Sequence, residues 1–134
     1  MARILIAWEL GEAFGHFARC LRLAQSLVTR GHSVALVLKE VLLPAGQRPG
    51  HGVKVLQAPI SAAARRSRVP SVNYAEVLRD CGFADAQDLA ARLQAWQGVC
   101  DLWRPDALVA DHAPTARVRC VNRRLWFWIQ AHWR

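Results

Sequence analysis

Arg3-Ile-Leu-Ile-Ala7, running into Trp8-Glu-Leu-Gly-Glu-Ala-Phe-Gly-His16, is the stretch that decides the fold. Arg3 to Ala7 is an almost unbroken apolar run, as expected for a central parallel strand buried on both faces. Gly11 and Gly15 then allow a tight turn. From Phe17 to Arg30, the residues Phe17, Cys20, Leu21, Ala24, Leu27 and Val28 recur at helical spacing, with Arg19, Arg22, Gln25, Ser26 and Thr29 on the opposite side. Gly31 suits the left-handed residue that closes a helix, and Val34 to Leu38 is a second apolar run. The order strand, glycine loop, helix, turn, strand is a βαβ unit. His16 lies at the mouth of its loop, where a parallel sheet exposes its carboxyl ends and open α/β folds bind ligands. The same residues therefore propose a fold and a candidate general base.

Downstream, Val41 to Ala45 reads as a short helix, and Pro44, Gly46, Pro49, Gly50 and Gly52 mark a loop. Val53 to Leu56 reads as a third strand. Ala58 to Pro70 reads as irregular. Its Arg65, Arg66 and Arg68 belong either to a solvated loop or to one that contacts an anion. Asn73-x-x-Glu76 has the character of a capping box and opens a short helix to about Cys81, ended by Gly82. Asp85 caps a longer helix. In it Leu89, Leu93, Trp96, Cys100 and Trp103 form a stripe expected to be core. Pro105 stops that helix, and Ala107 to Ala110 is a further buried strand ending at Asp111-His112. The pattern β-α-β-α-β-α-α-β predicts an α/β fold with a mostly parallel sheet, flanking helices and right-handed crossovers.

The chain of 134 residues suits one domain with a real core. No apolar run reaches the ~18 residues of a membrane span. The short N-terminal run reads as a core strand rather than a signal peptide, which points to the cytoplasm. Cys20, Cys81, Cys100 and Cys120 lack metal-ligand spacing and are expected to be buried, reduced thiols. The net charge of +8 suggests an anionic partner, but residues 1–116 carry 13 Lys/Arg against 10 Asp/Glu, while 117–134 carry five Arg and no acid. Basicity concentrated in a tail argues against a nucleic-acid surface on the domain.

Three residues could do acid–base work at the carboxyl edge: His16, Asp111 and His112. Strand ends in a parallel sheet converge in space, so a His16–Asp111 pair is possible across ~95 residues of sequence. The carboxylate of such a pair orients the imidazole and stabilises its protonated form. The alternative is that His16 caps its helix or binds a backbone carbonyl, and that Asp111 caps the following helix. The glycine loop also permits phosphate binding at a helix N-terminus. Yet Gly11-x-x-x-Gly15 departs from the dinucleotide fingerprint, only Glu40 offers a ribose contact, and Glu9 and Glu12 would repel a pyrophosphate.

Gly11-Glu-Ala-Phe-Gly-His16, with the later Thr29-Arg-Gly-His-Ser-Val34, resembles the start of GT-B glycosyltransferases related to the UDP-glucuronosyl/UDP-glucosyl transferases. Val72-Asn-Tyr-Ala-Glu-Val-Leu78 and Trp103-Arg-Pro-Asp-Ala-Leu-Val-Ala-Asp-His-Ala-Pro-Thr-Ala116 are similar to a bacterial branch of that group. The resemblance covers about residues 2–116 and implies a Rossmann-like N-terminal, acceptor-binding half. By the same resemblance, His16 would deprotonate the acceptor hydroxyl and Asp111 would orient it. Gly11 and Gly15 would form the loop where backbone approaches acceptor or donor. His112 acquires no role. The implied reaction is inverting transfer from a nucleotide sugar, as co-substrate, to a small-molecule or lipid hydroxyl. It implies no metal and no other cofactor.

Two departures stand out. Residues 1–134 contain no counterpart of the family's donor-binding second domain, so the chain is expected to be truncated and inactive alone, or to be the partner subunit of a split enzyme. An independent nucleotide-binding α/β protein is the remaining alternative. Residues 117–134 read as an atypical basic tail, with three of the six Trp in the last nine positions. Three readings of it are open: out-of-frame translation, an amphipathic segment touching a membrane surface or a partner, or an ordinary terminal helix.

Overall fold

The structure is a computed structural model that describes residues 1–11, 14–61 and 70–120, together with the backbone of 126–129; for Phe14 it likewise describes backbone alone. Strand β1 (Arg3–Trp8) leads to helix α1 (Phe14–Thr29) and strand β2 (Ser33–Leu38), so the predicted βαβ unit is present. Then come β3 (Val53–Gln57), α2 (Tyr74–Leu78), a wide turn over Arg79–Phe83, α3 (Ala86–Trp103), β4 (Ala107–Asp111), α4 (Pro114–Arg119) and β5 (Trp126–Ile129). The five strands lie in the order β3-β2-β1-β4-β5, and every neighbouring pair is parallel. The architecture is the expected Rossmann-like α/β sheet flanked by helices.

Strand β1 is central, which explains its composition. Ile4, Ile6 and Trp8 face α1 and pack with Phe17, Cys20, Leu21 and Ala24. Leu5 and Ala7 point the other way, into a second core with Trp96 of α3, Ala113 at the N-cap of α4 and Ala116 within it. A strand covered on both faces has no position left for a polar side chain. The chain's path reverses between β1 and β4, because β2 and β3 lie on one side of β1 and β4 and β5 on the other. Such a reversal opens a crevice at the carboxyl edge of the sheet.

Local signals place the helices. The Asn73 side chain accepts from Glu76 N and Asp85 from Asp88 N, so both predicted N-caps form. Gly82, at φ 84°, makes the left-handed break between α2 and α3. On α3, Trp96 and Cys100 are buried and Leu89, Leu93 and Trp103 half-buried, as the stripe predicts.

Several expectations are corrected. Val41 to Ala45 is loop, not helix; five residues closed by Pro44 are too few to repay helix nucleation. Gly15 sits in the first turn of α1 rather than in the loop. Cys100 and Cys120 are joined in a disulfide with a Cα–Cα separation of 5.9 Å, rather than being reduced thiols. One ends the buried stripe of α3 and the other follows α4, two helices that pack on the same face of the sheet. Cys20 and Cys81 are free thiols. The tail is not a terminal helix at Trp126–Ile129, which instead extends the sheet beside β4 with Leu108 opposite Trp126. Arg65, Arg66, Arg68 and residues 121–125 and 130–134 lie outside the described residues. Among the described residues no helix is long and apolar enough to cross a membrane.

Candidate functional site

The crevice between β1 and β4 holds the residues singled out from the sequence. Trp8 ends β1 directly opposite Asp111, which ends β4. The chain leaves β1 through Glu9, Leu10 and Gly11 and turns into α1, whose first turn carries His16. His16 Nδ1 lies 3.0 Å from Asp111 Oδ1. His16 and Asp111 therefore meet, although neither caps a helix: His16 is within α1, and Ala113 is the N-cap of α4.

Asp111 is fully buried, with its second oxygen 3.7 Å from Arg19 Nη1 and 3.8 Å from the Cys20 thiol. A carboxylate buried this deeply requires such partners. Burial, and next the negative charge of Asp111, push the Cys20 thiol up to about 12, so it stays an S–H donor. The His16 side chain keeps 14% of its surface exposed, which leaves it open to a ligand. In the tautomer whose Nδ1–H donates to Asp111, the other ring nitrogen, Nε2, carries no proton.

Gly11 shapes the space around that nitrogen. Its φ of 101° is a left-handed conformation that suits glycine, and a Cβ here would stand 3.4 Å from both Cδ2 and Nε2 of His16. The Trp8 ring stacks on His16 with centroids 6.1 Å apart, and the Trp8 Nε1 donates to Leu10 O at 2.6 Å. These contacts fix the imidazole from behind. Gly15 makes no comparable approach, since a Cβ there would meet nothing within 4 Å.

His112 follows Asp111 in a left-handed conformation, φ 49°, unusual for a residue with a side chain. Its ring centroid is 5.0 Å from that of His16 and 6.2 Å from that of Tyr74. Burial, and then the neighbouring His16, lower its pKa.

Sequence reasoning missed two buried charges. Glu9 was assigned to the loop, where it would repel phosphate. It is instead buried, accepting from Trp96 Nε1 at 3.2 Å and from Thr115 N at 2.9 Å, and so ties the end of β1 to α3 and α4. Burial raises its pKa, partly offset by these hydrogen bonds. Glu12 lies outside the described residues. Arg92, on α3, is only 3% exposed. A charge set among stripe positions Leu89, Leu93 and Trp96 was the available signal for it.

Beside the crevice, a cavity of about 480 Å³ opens at the carboxyl ends of β1, β2 and β3. Its volume is that of a small-molecule site. The misassigned segment Val41–Leu42 forms part of its wall, and Leu42 is 80% exposed. The Lys39 Nζ donates to Gly11 O at 3.0 Å, so one short piece of backbone separates the cavity from His16.

No protein-family model matches the sequence, and no curated protein does. Solved structures do match the fold. SsfS6, a glycosyltransferase of Streptomyces sp. SF2575, aligns with a TM-score of 0.61 at 16% identity, over 96% of this chain and 39% of its own. The apo structure of UGT2 from Phytolacca americana aligns at TM-score 0.50 and 22% identity, over 83% of this chain and 24% of that one. Os79 from O. sativa, in complex with UDP, gives TM-score 0.50 at 22% identity, over 86% of this chain and 26% of its own. The chain thus has a glycosyltransferase-like fold and spans well under half the length of these proteins.

Proposed function

We propose that this chain is the acceptor-binding half of an inverting, nucleotide-sugar-dependent glycosyltransferase, with His16 as general base. The observation that carries the reading is the 3.0 Å contact between His16 Nδ1 and the buried Asp111. In the proposed step, Nε2 takes the proton of an acceptor hydroxyl as the oxygen attacks the anomeric carbon. The bond from that carbon to the nucleoside diphosphate breaks, and the diphosphate leaves with the electron pair. Asp111 stabilises the imidazolium that forms. Gly11 keeps the approach to Nε2 open, and Gly15 lies at the start of α1 on the same edge.

The partial coverage of SsfS6 and of the plant proteins supports a division of labour. The sugar nucleotide, of the kind implied by the UDP complex of Os79, would be held by a second domain, on a longer polypeptide or on a separate chain. In this reading the Trp/Arg-rich segment 117–134 belongs to the same half, since Arg117–Arg119 end α4, Cys120 is bonded to Cys100 and Trp126–Ile129 pair with β4.

The test is reconstitution. The 134-residue chain is joined to the donor-binding half of SsfS6 and assayed with UDP- and TDP-sugars. Transfer is expected only in the joined protein, and His16→Ala lowers it by about 10²–10⁴-fold. Full activity of the His16→Ala protein refutes the base assignment. Transfer by the isolated chain, or its tight binding of UDP unaided, refutes the division of labour and favours an independent nucleotide-binding protein.

A further inference from the structure

Among the described residues, Arg92 is the buried charge that its surroundings provide for least. It projects from the buried side of α3 and lines the cavity at the ends of β1–β3. Nε lies 3.0 Å from Asp88 Oδ2, and the guanidinium carbon stands 4.3 Å over the Phe83 ring. Both Nε and Nη2 are nevertheless buried with no hydrogen-bond acceptor. Asp88 Oδ2 already accepts from Ser61 Oγ at 2.6 Å. Arginine is almost never this buried without full pairing, and a buried donor left unmade is costly.

We infer that the cavity binds an amphipathic organic carboxylate, with Arg92 as its principal anchor and Lys39 as a second cation. A planar carboxylate matches the fork of the guanidinium better than a neutral oxygen does. Lys39 spends one donor on Gly11 O and has others to give. Of the two acids on the cavity, Glu40 is exposed on the rim and Glu9 is engaged from behind by Trp96 and Thr115. The remaining wall includes Leu10, Val41, Leu42, Pro59 and Ile60, which calls for an apolar body. Resting on the acceptor reading above, the inference names the acceptor class: an alcohol or phenol bearing a carboxylate. The anion sits at Arg92, and the apolar body lies along the cavity wall on the side where Lys39 meets Gly11.

The experiment compares two probes on the isotope-labelled 134-residue chain by NMR: para-hydroxybenzoate and para-hydroxybenzamide. The acid is expected to bind about tenfold tighter or more than the amide, with shifts at Lys39, Cys81 and the Arg92 side chain. Arg92→Met brings the acid down to the amide's affinity. Benzoate, which has no hydroxyl, keeps the preference over benzamide, and so does a His16→Ala chain, so the anion site and the base assignment fail separately. Equal affinities for acid and amide in the wild-type chain, shifts confined to other residues, or no binding by either probe overturns the inference. The wild-type comparison stands whether or not the Arg92 variant folds.

Discussion

Asp111 and Arg92 are both buried charges at the same edge of the sheet, and they are treated in opposite ways. Asp111 is surrounded by His16, Arg19 and the Cys20 thiol, so both of its oxygens are occupied. Arg92 has one ion pair, one aromatic face and two donors without acceptors. A satisfied buried charge holds other groups in place; an unsatisfied one reduces stability until something supplies the missing oxygen. In the proposed reading, the difference divides the edge into a positioned proton acceptor and a receptive cavity, with Gly11 between them.

The contrast can be broken by substitution. Asp111→Ala carries the largest expected effect, because it strands the Nδ1–H of His16 and the Cys20 thiol and leaves Arg19 without its anion. Urea unfolding should show a loss of about 1–3 kcal/mol. Gly11→Ala comes next, at about 1–2 kcal/mol for an L-residue forced left-handed. It should also suppress transfer by the reconstituted enzyme, since its Cβ crowds Nε2.

Glu9 gives a pH signature. Burial favours its protonated form in the folded chain over the unfolded one. Its contribution to stability is therefore greatest below the ordinary carboxylate pKa and declines as pH rises through the raised value. Urea midpoints measured between about pH 4 and pH 7 should fall less steeply for Glu9→Gln than for wild type; identical slopes would count against the assignment.

Arg92→Met has the smallest expected effect on folding, a loss of about 1 kcal/mol or less, because the donors it removes include unmet ones while Asp88 keeps its hydrogen bond from Ser61. A loss as large as that of Asp111→Ala would erase the contrast.

What the sequence revealed follows from which physical signals are local. Helical periodicity from Phe17 to Val28 and the turn at Gly31 made the first βαβ unit legible. The abrupt end of an apolar strand at Asp111 marked a carboxyl edge. Whether Asp111 met His16 depended on β4 pairing with β1, a long-range choice that no local pattern encodes. Glu9 was misread and Arg92 passed over because charges are assigned to solvent unless a partner is known, and their partners, Asp88 apart, lie on other elements. Val41-Leu42-Leu43 looked helical because its apolar side chains had no visible destination until the cavity supplied one for Val41 and Leu42. The run Trp126 to Ile129 has strand composition, but the surrounding arginines made it read as a tail. A 20-residue separation between Cys100 and Cys120 carries no pairing information without the packing of α3 and α4.

The central claim is that Asp111 fixes His16 with Nδ1 protonated and Nε2 bare. Nitrogen-15 NMR of the imidazole rings in the intact chain, at a pH where His16 is neutral, reads that tautomer directly. The account predicts a pyridine-type Nε2 for His16 in the wild-type chain, and a shift toward the Nε2–H tautomer in Asp111→Ala. A wild-type His16 that already carries its proton on Nε2 would contradict it.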